Sequence, residues 1–523
     1  MTPSFQFDQL YVISDLHFGG QPGFQIFGSR DEMLWFLDHL AGLDAGLEIA
    51  LVINGDFIDF LAEAPALHFD PDGALAKLER IALHDPVFSP IFSALRNYVS
   101  TPHRHLIINL GNHDLELALP WVNARLREIL TRDVSRTTGM DAIADADATA
   151  KATGGASRLH MIFDGSGVLA DVGGKSVLCV HGNEVDRWNP ADFETLRQIG
   201  RDMQFGRPVE PWIPNAGSKM VIEVMNPVKK TWPFVDLLKP ELEAVVPVLL
   251  ACDQRLLGKL DDVLGVLAAR ASATVIKPDG MLGADLQSTT SVATSTTTSQ
   301  RSNTGRTAAL LARKFSGRKA AGDFDADSMM QQAELQARQG MRPIDLVQHN
   351  TVQQLGVVDA VLDWFKNKSD SEILREALES LDKDHSFDLG NRDDTYTQLD
   401  RETGAHIDFL VAGHTHLERA IRRSRGNGMY YNSGTWVRLI RLDAALRQSP
   451  QEFEAWFSTL KHSDMATLDA RPDLIKRFCS VVVIQKTASG TSGELRHIIP
   501  AAPGSGSGAF EFNQVSGSAI TRN

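Results

Sequence analysis

The sequence predicts an α/β fold, a layered core of strands and helices carrying one large helical insertion, and three observations predict it. Short apolar runs recur along the chain, and each stops abruptly at small or polar residues. Stretches with helical spacing lie between several of those runs. From about residue 186 to 404 the helical periodicity stands alone. Near-continuous apolar runs are how buried strands read, and their alternation with helical patterns implies βαβ units. The 523 residues, 43% hydrophobic and 23% charged, suit a soluble chain of two or more structural units.

The clearest strand is residues 105–110, where Leu106, Ile107, Ile108 and Leu110 fill a core before the chain breaks out at Gly111-Asn112-His113-Asp114. Upstream, the strand at 10–14 ends in Asp15-Leu16-His17, with Gly19-Gly20 close behind. Residues 31–43 place Met33, Leu34, Phe36, Leu37 and Leu40 at helical spacing, with Asp31 near the start. The strand at 49–54 ends in Gly55-Asp56-Phe57-Ile58-Asp59, and helices are expected over 73–83, 92–98 and 121–130. Residues 131–155, rich in Ala, Asp, Thr and Gly, read as a loop or weak helix. Strands at 158–163 and 168–172 precede a Gly173-Gly174 turn. The returning strand, 176–180, ends in His181-Gly182-Asn183-Glu184. After the insertion, 407–412 is a strand ending in Gly413-His414-Thr415-His416. Residues 429–436 and 478–485 read as further strands.

The expected division is a first core part at 1–190, a helical insertion or cap at 191–403, a second core part at 404–500 and a flexible Gly/Ser-rich tail at 501–523. Within the insertion, 237–270 reads as one or two helices, and Val352, Leu355, Val358, Leu362 and Phe365 make one apolar face. Residues 288–300 are nearly all Ser and Thr, flanked by Arg301, Arg306, Arg313, Lys314, Arg318 and Lys319. Such composition buries no core, so 285–320 is expected to be a disordered linker. Its basic flank is solvated charge on one reading and a contact for an anionic partner on another.

A net charge of -14 argues against a broad nucleic-acid-binding surface. Cys179, Cys252 and Cys479 are scattered, giving neither a disulfide framework nor a zinc cluster, which fits a reducing compartment. The N-terminal residues lack a basic region followed by a long apolar one, and the run 244–252 is too short to span a bilayer. The expected location is the cytoplasm, with no transmembrane segment.

Collected together, the polar residues at the strand ends are Asp15, His17, Asp56, Asn112, His113, His181, His414 and His416. Carboxylate, amide and imidazole donors in this mixture suit Mn, Fe or Zn better than Ca or Mg. Their number exceeds what one ion needs and is about right for two sharing a carboxylate. Alternate residues of an extended segment share a face, so Asp15 with His17, and His414 with His416, are each able to point one way. Two adjacent ions would activate a water and clamp both ends of an in-line displacement at phosphorus.

In this order, Asp15-x-His17, Gly55-Asp56-x-x-Asp59, Gly111-Asn112-His113-Asp114, His181 and Gly413-His414-x-His416 resemble the signature of the calcineurin-like metallophosphoesterase superfamily. The resemblance covers roughly residues 8–190 and 404–440. It implies a two-sheet β-sandwich core flanked by helices. It further implies Asp15, His17 and His416 on one metal ion, Asp56 bridging two, and Asn112, His181 and His414 on the second, with manganese foremost and iron or zinc as alternatives. His113 would face the phosphate as a catalytic residue, with Asp114 accepting its other ring proton, while Asp59 supports the site structurally.

The function this implies is hydrolysis of a phosphomonoester or small phosphodiester by a metal-bridging hydroxide. The position of the insertion also resembles the cap of UDP-2,3-diacylglucosamine pyrophosphatases. This chain differs from them in a longer insertion and in His113, where those enzymes usually carry arginine. Residues 220–238, with Val221, Ile222, Val224, Met225, Trp232, Phe234 and Lys229-Lys230, read either as an apolar edge for a membrane surface or as core packing of the cap. Arg187 and Trp188 read as a surface pair or as substrate contacts. A scaffold that binds a protein partner through the insertion is the reading from another class.

Overall fold

The computed structural model describes residues 5–132, 155–186, 189–239, 369, 371, 372, 374, 375, 387–441, 449–502 and 509–522. Two compact units divide the chain: Met1–Lys239 with Asp384–Arg441 and His462–Asn523, and Pro240–Lys383 with Leu442–Lys461.

Two large sheets form the first unit. One runs in the order Phe510–Gln514, Gly490–Pro500, Ser480–Thr487, Gln9–Ile13, Ile49–Asn54, Arg104–Asn109 and Leu159–Ile162, with Ile520–Arg522 also paired to Gly490–Pro500. The other is ordered Phe5–Phe7, Val168–Val172, Lys175–Cys179, Phe409–Ala412, Met429–Asn432 and Arg419–Arg422. Side chains alternate across each strand, as the pleat requires. Val12, Val52 and Ile107 meet Val177, Phe409, Val411 and Tyr431 between the sheets. Their neighbours Ile13, Ile53 and Ile108 face the other way, onto Phe36, Leu40, Phe92, Leu95 and Leu126 of the helices Arg30–Ala41, Ser89–Ser100 and Pro120–Thr131. Both faces are buried, and each such aliphatic side chain contributes about 1.5–3 kcal/mol. On the second sheet, Tyr396 and Leu399 of helix Asp394–Glu402 pack against Leu410 and Tyr430.

Register brings the strand ends together. Ile13, Ile53 and Ile108 lie side by side in parallel strands, so the segments carrying Asp15, Asp56 and Asn112 leave by one edge. In the second sheet Cys179 pairs with Val411, and Gly413 N–H donates to the His181 carbonyl at 2.8 Å, so His181 and His414 emerge beside each other.

Several expectations change. Within the expected tail, Phe510–Gln514 and Ile520–Arg522 are strands, and Phe510 and Phe512 pack on the helix-side core of the first sheet. The helix expected over 73–83 is Ala74–Glu79, followed by a wider turn at Arg80–His84. The strand expected over 429–436 stops at Asn432, whose Oδ1 accepts the Gly434 N–H at 2.9 Å and turns the chain. Within 220–238, Met225, Val228, Trp232, Phe234, Val235 and Leu237 are buried, and Asn226 Nδ2 donates to the Leu61 carbonyl at 2.9 Å. That burial fits the core-packing reading of these residues.

In the second unit, helix Pro450–Lys461 buries Phe453, Trp456, Phe457 and Leu460, and Ser371 hydrogen-bonds Glu454. The readings on 133–154, Arg187, Trp188, 244–252, most of 237–270, 285–320 and 352–365 lie outside the described residues. Among the described residues, no helix is long and apolar enough to cross a membrane.

Candidate metal centre

Seven non-glycine residues among those described have positive φ, and five of them are Asp15 (54°), His17 (48°), Asp56 (50°), His414 (70°) and His416 (60°). L-residues adopt this conformation at a cost of about 1–3 kcal/mol, and such positions cluster where side chains must be aimed. The strands end, and each chain folds back sharply to present its polar residues. Hydrogen bonds hold these turns. Asp15 N–H donates to the Gly55 carbonyl at 3.2 Å, and Leu16 and His17 N–H groups donate to the Asp56 carbonyl at 2.9 Å each. His414 N–H reaches the Asp15 carboxylate at 3.0–3.1 Å, while Thr435 Oγ1 donates to the Asp15 carbonyl at 2.7 Å.

Three overlapping triads result: Asp15, His17 and His416; His17, Asp56 and His113; Asp56, His181 and His414, with the donor atoms of each within 4.8 Å of one another. His17 Nε2 lies 3.1 Å from His416 Nε2 and 3.7 Å from Asp56 Oδ2. His416 Nε2 is 3.3 Å from Asp15 Oδ1. His181 Nε2 lies 3.2 Å from Asp56 Oδ2 but outside hydrogen-bond geometry, and Asn112 Oδ1 is likewise buried without a hydrogen-bond partner. Buried polar atoms are seldom left so. Convergent lone pairs of this kind fit divalent cations with nitrogen and oxygen ligands.

Supporting contacts fix which nitrogen faces inward. His181 Nδ1 donates to the Asn54 carbonyl at 2.8 Å, leaving Nε2 for the site. Gly55, at φ 88°, lies where any Cβ would run into the His181 ring. Asp59 receives both His17 Nδ1 and His113 Nδ1, one on each carboxylate oxygen at 3.2 Å.

Asp114 does not orient His113, contrary to the sequence expectation. It accepts the backbone N–H groups of Gly111 at 2.7 Å and Phe57 at 2.8 Å, pinning the Asp56 and His113 turns together. Adjacent residues in such a turn diverge, and the carboxylate three places beyond Asp56 is the one that meets the ring. Sequence reasoning also missed Asp186, whose Oδ2 is 2.8 Å from His414 Nε2. No spacing signals that pair, since 228 residues separate them.

Electrostatics follow the geometry. Burial raises the Asp15 carboxyl, but His416 and His181 outweigh it and hold it at about 2. Asp56 and Asp59 are likewise held low by histidines against burial. Burial opposes charge on His113 and His181, yet Asp59 and Asp56 lift the first to about 9, and Asp56 and Asp15 lift the second to about 10. Burial, with Asp56 nearby, pushes Asp114 up to about 7.

Residues 9–232 match the model described as calcineurin-like phosphoesterase. No curated protein matches the chain. His414 and His416 lie beyond the matched residues, and the second sheet brings them to the same site. The family is one of metal-dependent phosphoester hydrolases, and the aspartate–histidine cluster is capable of holding metal.

Proposed function

We propose that the protein hydrolyses a phosphomonoester or a small phosphodiester with two divalent ions, manganese foremost. The observation that carries this reading is Asp56, which belongs to two of the three triads and stands between Asp15, His17 and His416 on one side and His181 and His414 on the other. Asp15, His17, His416 and Asp56 would hold the first ion; Asp56, Asn112, His181 and His414 would hold the second. Divalent ions supply Lewis acidity at the phosphoryl oxygens and a water acidic enough to serve as nucleophile near neutral pH.

His113 is partly exposed, 17% by side chain. Asp59 at Nδ1 leaves its Nε2 for a phosphoryl or leaving oxygen, where it suits hydrogen bonding to the charge that develops there. The complete set of donor side chains argues for an enzyme over a scaffold that has lost catalysis. The acidic balance favours a small phosphorylated substrate over nucleic acid.

The test is hydrolysis of generic monoester and diester substrates by metal-stripped protein resupplied with Mn²⁺, beside Asp56→Asn, with a metal count on both. Metal-dependent turnover that vanishes in Asp56→Asn supports the reading. Absence of both bound metal and turnover in the wild type overturns it.

A further inference from the structure

The proposed set of ligands includes His414, whose ring is held by a residue that no motif marks. His414 Nε2 lies 2.8 Å from Asp186 Oδ2. An ionised carboxylate only accepts, so Nε2 carries the proton and Nδ1 is the nitrogen left with a lone pair. Asp186 is itself held from both sides. Its N–H donates to the Asn183 carbonyl at 3.0 Å, and Asn189 Nδ2 donates to the same Oδ2 at 2.8 Å. Asn189 in turn accepts Asn183 Nδ2 at its carbonyl, 3.0 Å away. His414 needs such support more than a helical histidine would. It sits at φ 70° on a turn, with side chain and backbone aimed by separate contacts: Asp186 at the ring and Asp15 at the N–H.

We infer that Asp186 is a positioning residue for the second ion: it fixes the tautomer and direction of the His414 ring so that Nδ1 joins Asp56 and His181. This rests on the two-ion reading above. A carboxylate behind a ligating histidine also raises its basicity, and loss of such a partner typically costs about 10–100-fold in metal affinity.

The experiment is a metal titration of the full-length chain by calorimetry, comparing wild type, Asp186→Ala and Asp186→Glu, with ¹⁵N shifts of the His414 ring recorded on each metal-free protein. In Asp186→Ala one ion is expected to bind about 10–100-fold more weakly while the other is unchanged. The ring should lose its preference for Nε2–H, and Asp186→Glu should restore part of both. Unchanged affinity for both ions in Asp186→Ala overturns the inference. So does equal weakening of both ions with a lowered melting temperature of the metal-free protein, which marks a structural role. A wild type that takes up fewer than two ions overturns the two-ion reading itself, and the inference falls with it.

Discussion

His17 and His113 lean on one carboxylate, Asp59, which belongs to the same turn as Asp56, whereas His181 and His414 take their support from separate places, the Asn54 carbonyl and Asp186. The support of the first pair is thus local, built within three neighbouring strand ends of one sheet. The second is assembled across both sheets from segments far apart in sequence. Damage to a shared local support should spread over the half that it serves; damage to a dispersed one should stay with a single ligand.

Removal of the group common to both halves gives the largest effect. Asp56→Asn should reduce turnover by more than the ~100-fold typical of an outer-shell loss and should weaken both ions. Next comes Asp59→Ala, with an expected loss of about 10–100-fold in rate. Because Asp59 holds two rings, the ion beside His17 should also bind more weakly, a split that titration resolves. Equal loss at both ions would break the distinction between the halves.

Asp114→Ala is the control for Asp59. It orphans two buried N–H groups and should cost about 2 kcal/mol or more of stability by denaturant melting, through backbone support and not through the His113 ring.

A smaller effect appears with pH. His181 has its folded pKa raised from 6.5 to about 10, so its proton stabilises the metal-free fold below pH 6.5, and that contribution is lost as pH rises toward 10. An ion at this site must displace the same proton. Metal affinity should therefore rise with pH between 6 and 8, about tenfold per unit for each proton displaced, while metal-free stability falls. Parallel slopes would show that His181 is no ligand.

Much of this site was legible because its residues follow apolar runs that announce strands. Asp15, His17, Asp56, Asn112, His181, His414 and His416 each stand at or just beyond a strand end, where a core has no use for them. What escaped notice was direction. Sequence proximity suggested Asp114 for His113, but the turn carries Asp114 away toward Gly111 N–H and brings Asp59 in. Asp186 was invisible because its contact exists only after two strands of the second sheet, far apart in sequence, pair as neighbours. Phe510 and Phe512 were overlooked amid Gly and Ser, although their alternation is a strand pattern and both pack on the core.

The left-handed turns at five of the proposed ligands have an evolutionary consequence. Glycine at His17, His414 or His416 would relax the backbone while erasing a donor, a move downhill for the backbone of the metal-free fold, whereas at Asp15 or Asp56 it would also orphan the His414 or His113 N–H. Descendants freed from selection for turnover have a thermodynamic incentive to become inert.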